Sequence, residues 1–147
     1  MSEKCLLLSI HPEYVYKIFN GTKAIELRRT RPKIQTGDWV VVYATSPLKA
    51  LYGMLQVEKV ITSTPSILWE TTRNVSGISE KNFFSYFHNT NKAYGIFISK
   101  KWALPNPLSL EELRQIIPGF RPPQGFAYLD SNSEIIRICK SLINRIS

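Results

Sequence analysis

Apolar residues recur along this chain in two rhythms, a period of two and a period near 3.6, and the switches between them mark its elements. Residues 4–10 hold an almost continuous apolar run, Leu6, Leu7, Leu8 and Ile10, as expected of a strand covered on both faces. From Pro12 the spacing becomes helical. Val15, Ile18 and Phe19 form the stripe, Tyr14 lies beside it, Pro12 suits the first helical position, and Asn20-Gly21 ends the helix. Residues 23–29 alternate: Ile25 and Leu27 project from one face, Glu26 and Arg28 from the other. Pro32 and Gly37 punctuate a connection, and DWVVVYAT over 38–45 is the strongest strand, aromatic and β-branched without a break.

Residues 50–61 alternate as a long strand in which Gly53 marks a bend or bulge. Thr64 caps a short helix through Trp69, and Ser79 caps another that buries Phe83, Phe84 and Phe87. Residues 93–102 read as a strand. Ser109 and Glu112 form a capping box that opens a helix to Ile117, and PGFRPPQG over 118–125 is a rigid surface loop. Residues 126–129 make a last short strand. Ser131 and Glu134 form a second capping box, for a helix carrying Ile135, Ile138, Cys139, Leu142 and Ile146. This order predicts an α+β fold: a mixed sheet of about five to six strands closed into a small barrel with surrounding helices, not a doubly wound sheet.

At 147 residues the chain fits one domain, 1–147, large enough to bury a core without a metal or disulfide staple. The formal net charge of +8 is the compositional outlier, and it points to a polyanionic partner, nucleic acid above all. Cys5 and Cys139, far apart in sequence, have neither a disulfide framework nor metal-ligand spacing and read as reduced, buried thiols of a cytoplasmic protein. No apolar stretch approaches the ~20 residues that span a bilayer, so no membrane partner is expected. No glycine-rich phosphate loop or zinc pattern occurs, and neither a metal nor a cofactor is expected.

The chemistry concentrates at 21–31. Glu26 and Arg28 form either a plain same-face ion pair or a pair that aims the forked guanidinium at a phosphate or base edge. Glu26 could itself accept from an exocyclic amine. Lys23 is a candidate donor to a phosphate or carbonyl. By strict strand parity it lies opposite Glu26, so it joins the site only where the strand start is irregular. Lys17, Arg29, Arg31 and Lys33 make a basic collar around them. Tyr43 and Tyr94 are candidate stacking rings, with Tyr14, Trp69, Phe126 and Tyr128 as further ones. Ser9, His11 and Thr45 stand at element junctions, where sites form. Gln124 projects from the stiff loop, and His11 fits a helix-start role better than that of a base.

The motif Gly21, Lys23, Glu26, Arg28 fits the G-x-K-x-x-E-x-R pattern of the ASCH domain, and with its flanks (LLLSIHPEYVYKIFNGTK, DWVVVYATSP, FRPPQGFAYL) the chain resembles that family, a branch of the PUA-like β-barrels. The resemblance implies an RNA- or nucleotide-binding module with a regulatory role in transcription or translation. One branch of the family is an amidohydrolase of acetylated cytidine that uses a lysine, a threonine and a glutamate; another is reported as a ribonuclease. Lys23 matches the catalytic lysine of the amidohydrolases. Glu26 stands at their threonine, and no acid occurs at 75–78, where their glutamate falls. A binding module is therefore favoured over an enzyme, with a hydrolase of a modified nucleoside or a ribonuclease as the alternative, and a protein-interaction module as a third class. The expectation common to the first two is that Lys23, Glu26 and Arg28 converge on one hollow.

Overall fold

The computed structural model describes residues 5–130 and 132–144. They form, in order, β1 (Cys5–Ile10), α1 (Pro12–Phe19), β2 (Ile25–Arg28), β3 (Trp39–Ala44), β4 (Ala50–Ser63), α2 (Pro65–Thr72), α3 (Glu80–Tyr86), β5 (Ala93–Ser109), α4 (Leu110–Ile116), β6 (Phe126–Leu129) and α5 (Glu134–Asn144). The second capping box, through Ser131, and the last apolar position of its helix, Ile146, lie outside the described residues.

The strands make one sheet in the order β2-β5-β4-β3-β1-β6, mixed because β1 and β3 run parallel while the other neighbours are antiparallel. The expected barrel is a half-barrel: the sheet curls, and β2 and β6 remain its edges. Side-chain contacts tie the chain near those edges together. The Lys33 amide donates to the Tyr128 hydroxyl at 2.8 Å, and Gly125 lies against the Arg28 guanidinium.

Alternation along the strands sorts the core into two faces. Leu6, Leu8, Val40, Val42, Leu55, Val57 and Ile96 pack under Val15 and Ile18 of α1. On the opposite face Leu7, Val41, Tyr43 and Met54 meet Leu113 of α4 and Ile135, Ile136 and Cys139 of α5. Further along that same face, Ile25 and Leu27 meet Leu68 of α2, Phe83 of α3 and Phe87, which follows α3. Cys5 and Cys139 are both buried there, and burial pushes each thiol up to about 12.

Two strands exceed the expected bounds. β5 runs to Ser109 despite Pro105 and Pro107. Gly53 pairs with Ala103 and Leu51 with Leu108, so residues 104–107 bulge opposite Tyr52 and the missing amides break no ladder. Gly53 is required at this bend: a Cβ there would stand 2.3 Å from the Trp102 carbonyl oxygen and 2.8 Å from the Phe19 ring. No helix is long and apolar enough to cross a membrane among the described residues.

Candidate functional site

A cleft of about 240 Å³ opens on the α1 face of the sheet, beside edge strand β2. The end of β1 and the start of α1 supply Ser9, Ile10, His11 and Tyr14; β2 supplies Glu26, Leu27 and Arg28; α3 and the turn before it supply Ile78, Asn82 and Tyr86. The sequence builds this wall through alternation. Burying Ile25 and Leu27 under α2 and α3 turns Glu26 and Arg28 to the other face, opposite Ile96 and Tyr94 of β5. Because β2 is an edge strand, α3 reaches around it, and Asn82 and Tyr86, four residues apart on one helical face, close the far side.

The Arg28 guanidinium donates to Glu26 Oε2 at 3.3 Å, and the two side chains are only 16% and 8% exposed. In a pair this deep both groups have given up most of their water, so each depends on the other as a partner. Gly125 (φ +91°) leaves room for it: a Cβ there would come within 3.3 Å of Arg28. The loop carrying Gly125 is fixed by Ser9, whose hydroxyl donates to the Pro123 carbonyl at 2.6 Å and whose amide donates to the Gly125 carbonyl at 2.9 Å.

His11 takes the helix-start role. Its Nδ1 accepts the Glu13 amide at 3.2 Å, capping α1, so in the neutral ring Nε2 carries the proton and is a donor. Its ring meets Tyr14 edge-on with centroids 6.2 Å apart. Burial raises the Tyr14 phenol above its ordinary value, with Glu13 and Glu26 pushing the same way. Burial likewise raises Tyr86; Arg28 opposes and Glu26 assists, which places that phenol within the field of the ion pair.

Lys23 does not line this cleft. It precedes β2, where its own amide donates to the Lys17 carbonyl and the Ala24 amide donates to the Val75 carbonyl, so strand parity does not apply to it. Its side chain is buried, its ammonium donates to the Ser76 carbonyl, and the ammonium stands 5.2 Å from the centre of the Tyr14 ring. Gly77 (φ +63°) lies directly on its stem, since a Cβ there would be 2.7 Å from Lys23 Cβ. Lys17 donates to the Gly77 carbonyl at 2.9 Å, so two lysines staple the turn that leads into Ile78. Burial lowers the Lys23 pKa, Glu26 opposes that shift, and Lys17 adds to it. Lys23 also borders a separate hollow of about 120 Å³ with Gly21 and Lys101.

Of the other expected site residues, Tyr43 sits in the core beneath α4 at 2% exposure, which corrects its reading as a stacking ring: parity places it with Leu7 and Val41, not with the cleft. Thr45 is held by its amide to the Ile10 carbonyl, outside the lining. Arg29 turns away, donating to the His88 carbonyl at 3.3 Å. Tyr94 shares the face of Arg28 through their pairing but does not border the cleft, and Gln124 is exposed on the loop next to Gly125. The sequence reading missed Ile78, Asn82 and Tyr86. The i, i+4 spacing of the last two was a signal, masked by the three phenylalanines that set the buried side of α3.

The curled mixed sheet thus carries a cleft at its edge strand β2. The chain belongs to the ASCH domain family, whose model matches residues 8–113. It is 28% identical over 123 residues to a protein of Zymomonas mobilis named "ASCH domain-containing ribonuclease", over 84% of this chain and 82% of that one. A crystal structure of ASCH from Zymomonas mobilis matches with a TM-score of 0.86 at 28% identity, over 96% of each chain. The chain is also 29% identical over 125 residues to large ribosomal subunit protein uL22 of Ureaplasma parvum, covering 84% of this chain and 39% of that protein.

Proposed function

We propose that this ASCH domain binds single-stranded RNA and takes one base into the cleft, as a module that serves transcription or translation. The observation that carries the reading is the Glu26–Arg28 pair, largely desolvated yet bordering a hollow of about 240 Å³, small for a drug-sized ligand but suited to a single base. The rings of His11, Tyr14 and Tyr86 give the walls the aromatic character on which splayed bases stack. The net charge of +8 supplies attraction to phosphates without sequence choice. The name of one curated relative, a ribonuclease that the match covers over 82% of its length, sets a similar sequence in an RNA context.

Fluorescence anisotropy with a short labelled single strand tests this. Binding is expected to saturate and to weaken with salt, each phosphate contact adding about −0.7 to the log–log slope. Absence of binding at low salt would overturn the reading. A second reading, RNA cleavage, draws on the relative's name and on the cleft's own chemistry, in which an imidazole, a carboxylate and a guanidinium share one hollow. The same mixtures run on a gel decide it: shorter fragments that disappear with Glu26→Gln support cleavage, and intact RNA at saturation removes it.

A further inference from the structure

The cleft has a polarity that reaches beyond RNA binding in general. Glu26 is 94% buried by residue, and among the described residues its side chain's one hydrogen bond is the bond from Arg28 to Oε2. Among the described residues Oε1 has no partner and no fully buried side-chain oxygen lacks one, so Oε1 keeps some exposure, on a residue that lines the cleft. A carboxylate only accepts hydrogen bonds, and Glu26 is the only carboxylate among the residues lining the cleft. Arg28 has five N–H groups and spends one on Glu26, and His11, with Nδ1 taken by the Glu13 amide, offers a donor at Nε2. The hollow thus presents one strong acceptor beside several donors.

We propose that the cleft selects a base whose exocyclic amine donates to Glu26 Oε1 while the adjoining ring acceptor takes an N–H of Arg28. Cytosine and adenine have that donor–acceptor edge. Uracil sets a carbonyl oxygen where cytosine has its amine, which would face Glu26 with two acceptors and no proton between them. The inference rests on the RNA-binding reading and assigns that site its base preference.

The test compares cytidine and uridine strands of equal length, whose phosphate contributions are the same. The wild-type chain is expected to bind the cytidine strand about tenfold tighter or more. Glu26→Gln, whose amide both donates and accepts, is expected to bring the ratio close to one. Equal affinities for the wild type would overturn the base preference while leaving RNA binding intact. A preference that survives unchanged in folded Glu26→Gln would overturn the role of Glu26. Binding of neither strand would overturn the RNA reading along with this one. The wild-type ratio decides the matter even where the variant does not fold.

Discussion

Arg28→Ala is expected to weaken binding of single-stranded RNA by about tenfold to a hundredfold, the range that loss of a well-placed guanidinium contact produces. The same change strips Glu26 of its hydrogen-bonded partner at 8% side-chain exposure, so stability should fall too, by roughly 1–3 kcal/mol. The two losses separate in a double variant. Glu26→Gln with Arg28→Ala removes the orphaned charge and should recover most of the stability, yet it leaves the cleft without its guanidinium and should not recover the affinity. Recovery of both would make the pair a strut and not a binding element. Denaturant unfolding and anisotropy on the four proteins of the cycle measure this.

The second large effect is expected at Lys23 and falls on stability. Lys23→Ala removes the stem on which Gly77 lies and the donor to the Ser76 carbonyl, and Ser76 is fully buried. A cavity plus an unpartnered acceptor should lower stability by about 2–5 kcal/mol. Lys23→Met retains the stem and should lose less. Because Lys23 stands behind Tyr14 and not in the cleft, Lys23→Met should bind RNA with less than the about tenfold loss that 1.4 kcal/mol represents.

The pH dependence gives Lys23 a signature. Burial holds its folded pKa below the ordinary lysine value, so between that depressed value and about 10.4 the unfolded chain binds more protons at this position than the folded one. Stability rises with pH wherever the unfolded state binds more protons. Wild type should therefore gain on Lys23→Met as pH climbs through that alkaline window, and the two should differ by a constant amount below it. Taking the difference cancels the buried thiols and phenols, which titrate in both proteins.

Much of the fold was legible because alternation and capping are local. Thr64, Ser79 and Ser109 cap the helices they were expected to cap, and Ile25 and Leu27 bury while Glu26 and Arg28 face a cleft. What escaped was set by long-range pairing. β5 passes through two prolines because they fall in its own bulge opposite Tyr52 of β4, a fact of register that no window of sequence contains. Tyr43 and Tyr94 both alternate on strands, but only the order of strands in the sheet decides which helix covers a face. Lys23 had the residue type of a ligand contact. Its burial follows from the Val75–Gly77 turn, brought to it from some fifty residues away in sequence. Asn82 and Tyr86 join the site only because β2 ends the sheet and α3 can reach past it.

The most direct test of the base-binding cleft is a crystal structure of the chain with a short cytidine-rich single strand. The account predicts one base between Tyr14 and Tyr86, its amine within hydrogen-bond distance of Glu26 Oε1 and Arg28 against its ring edge. RNA ordered on another surface, with no base in the cleft, would contradict it.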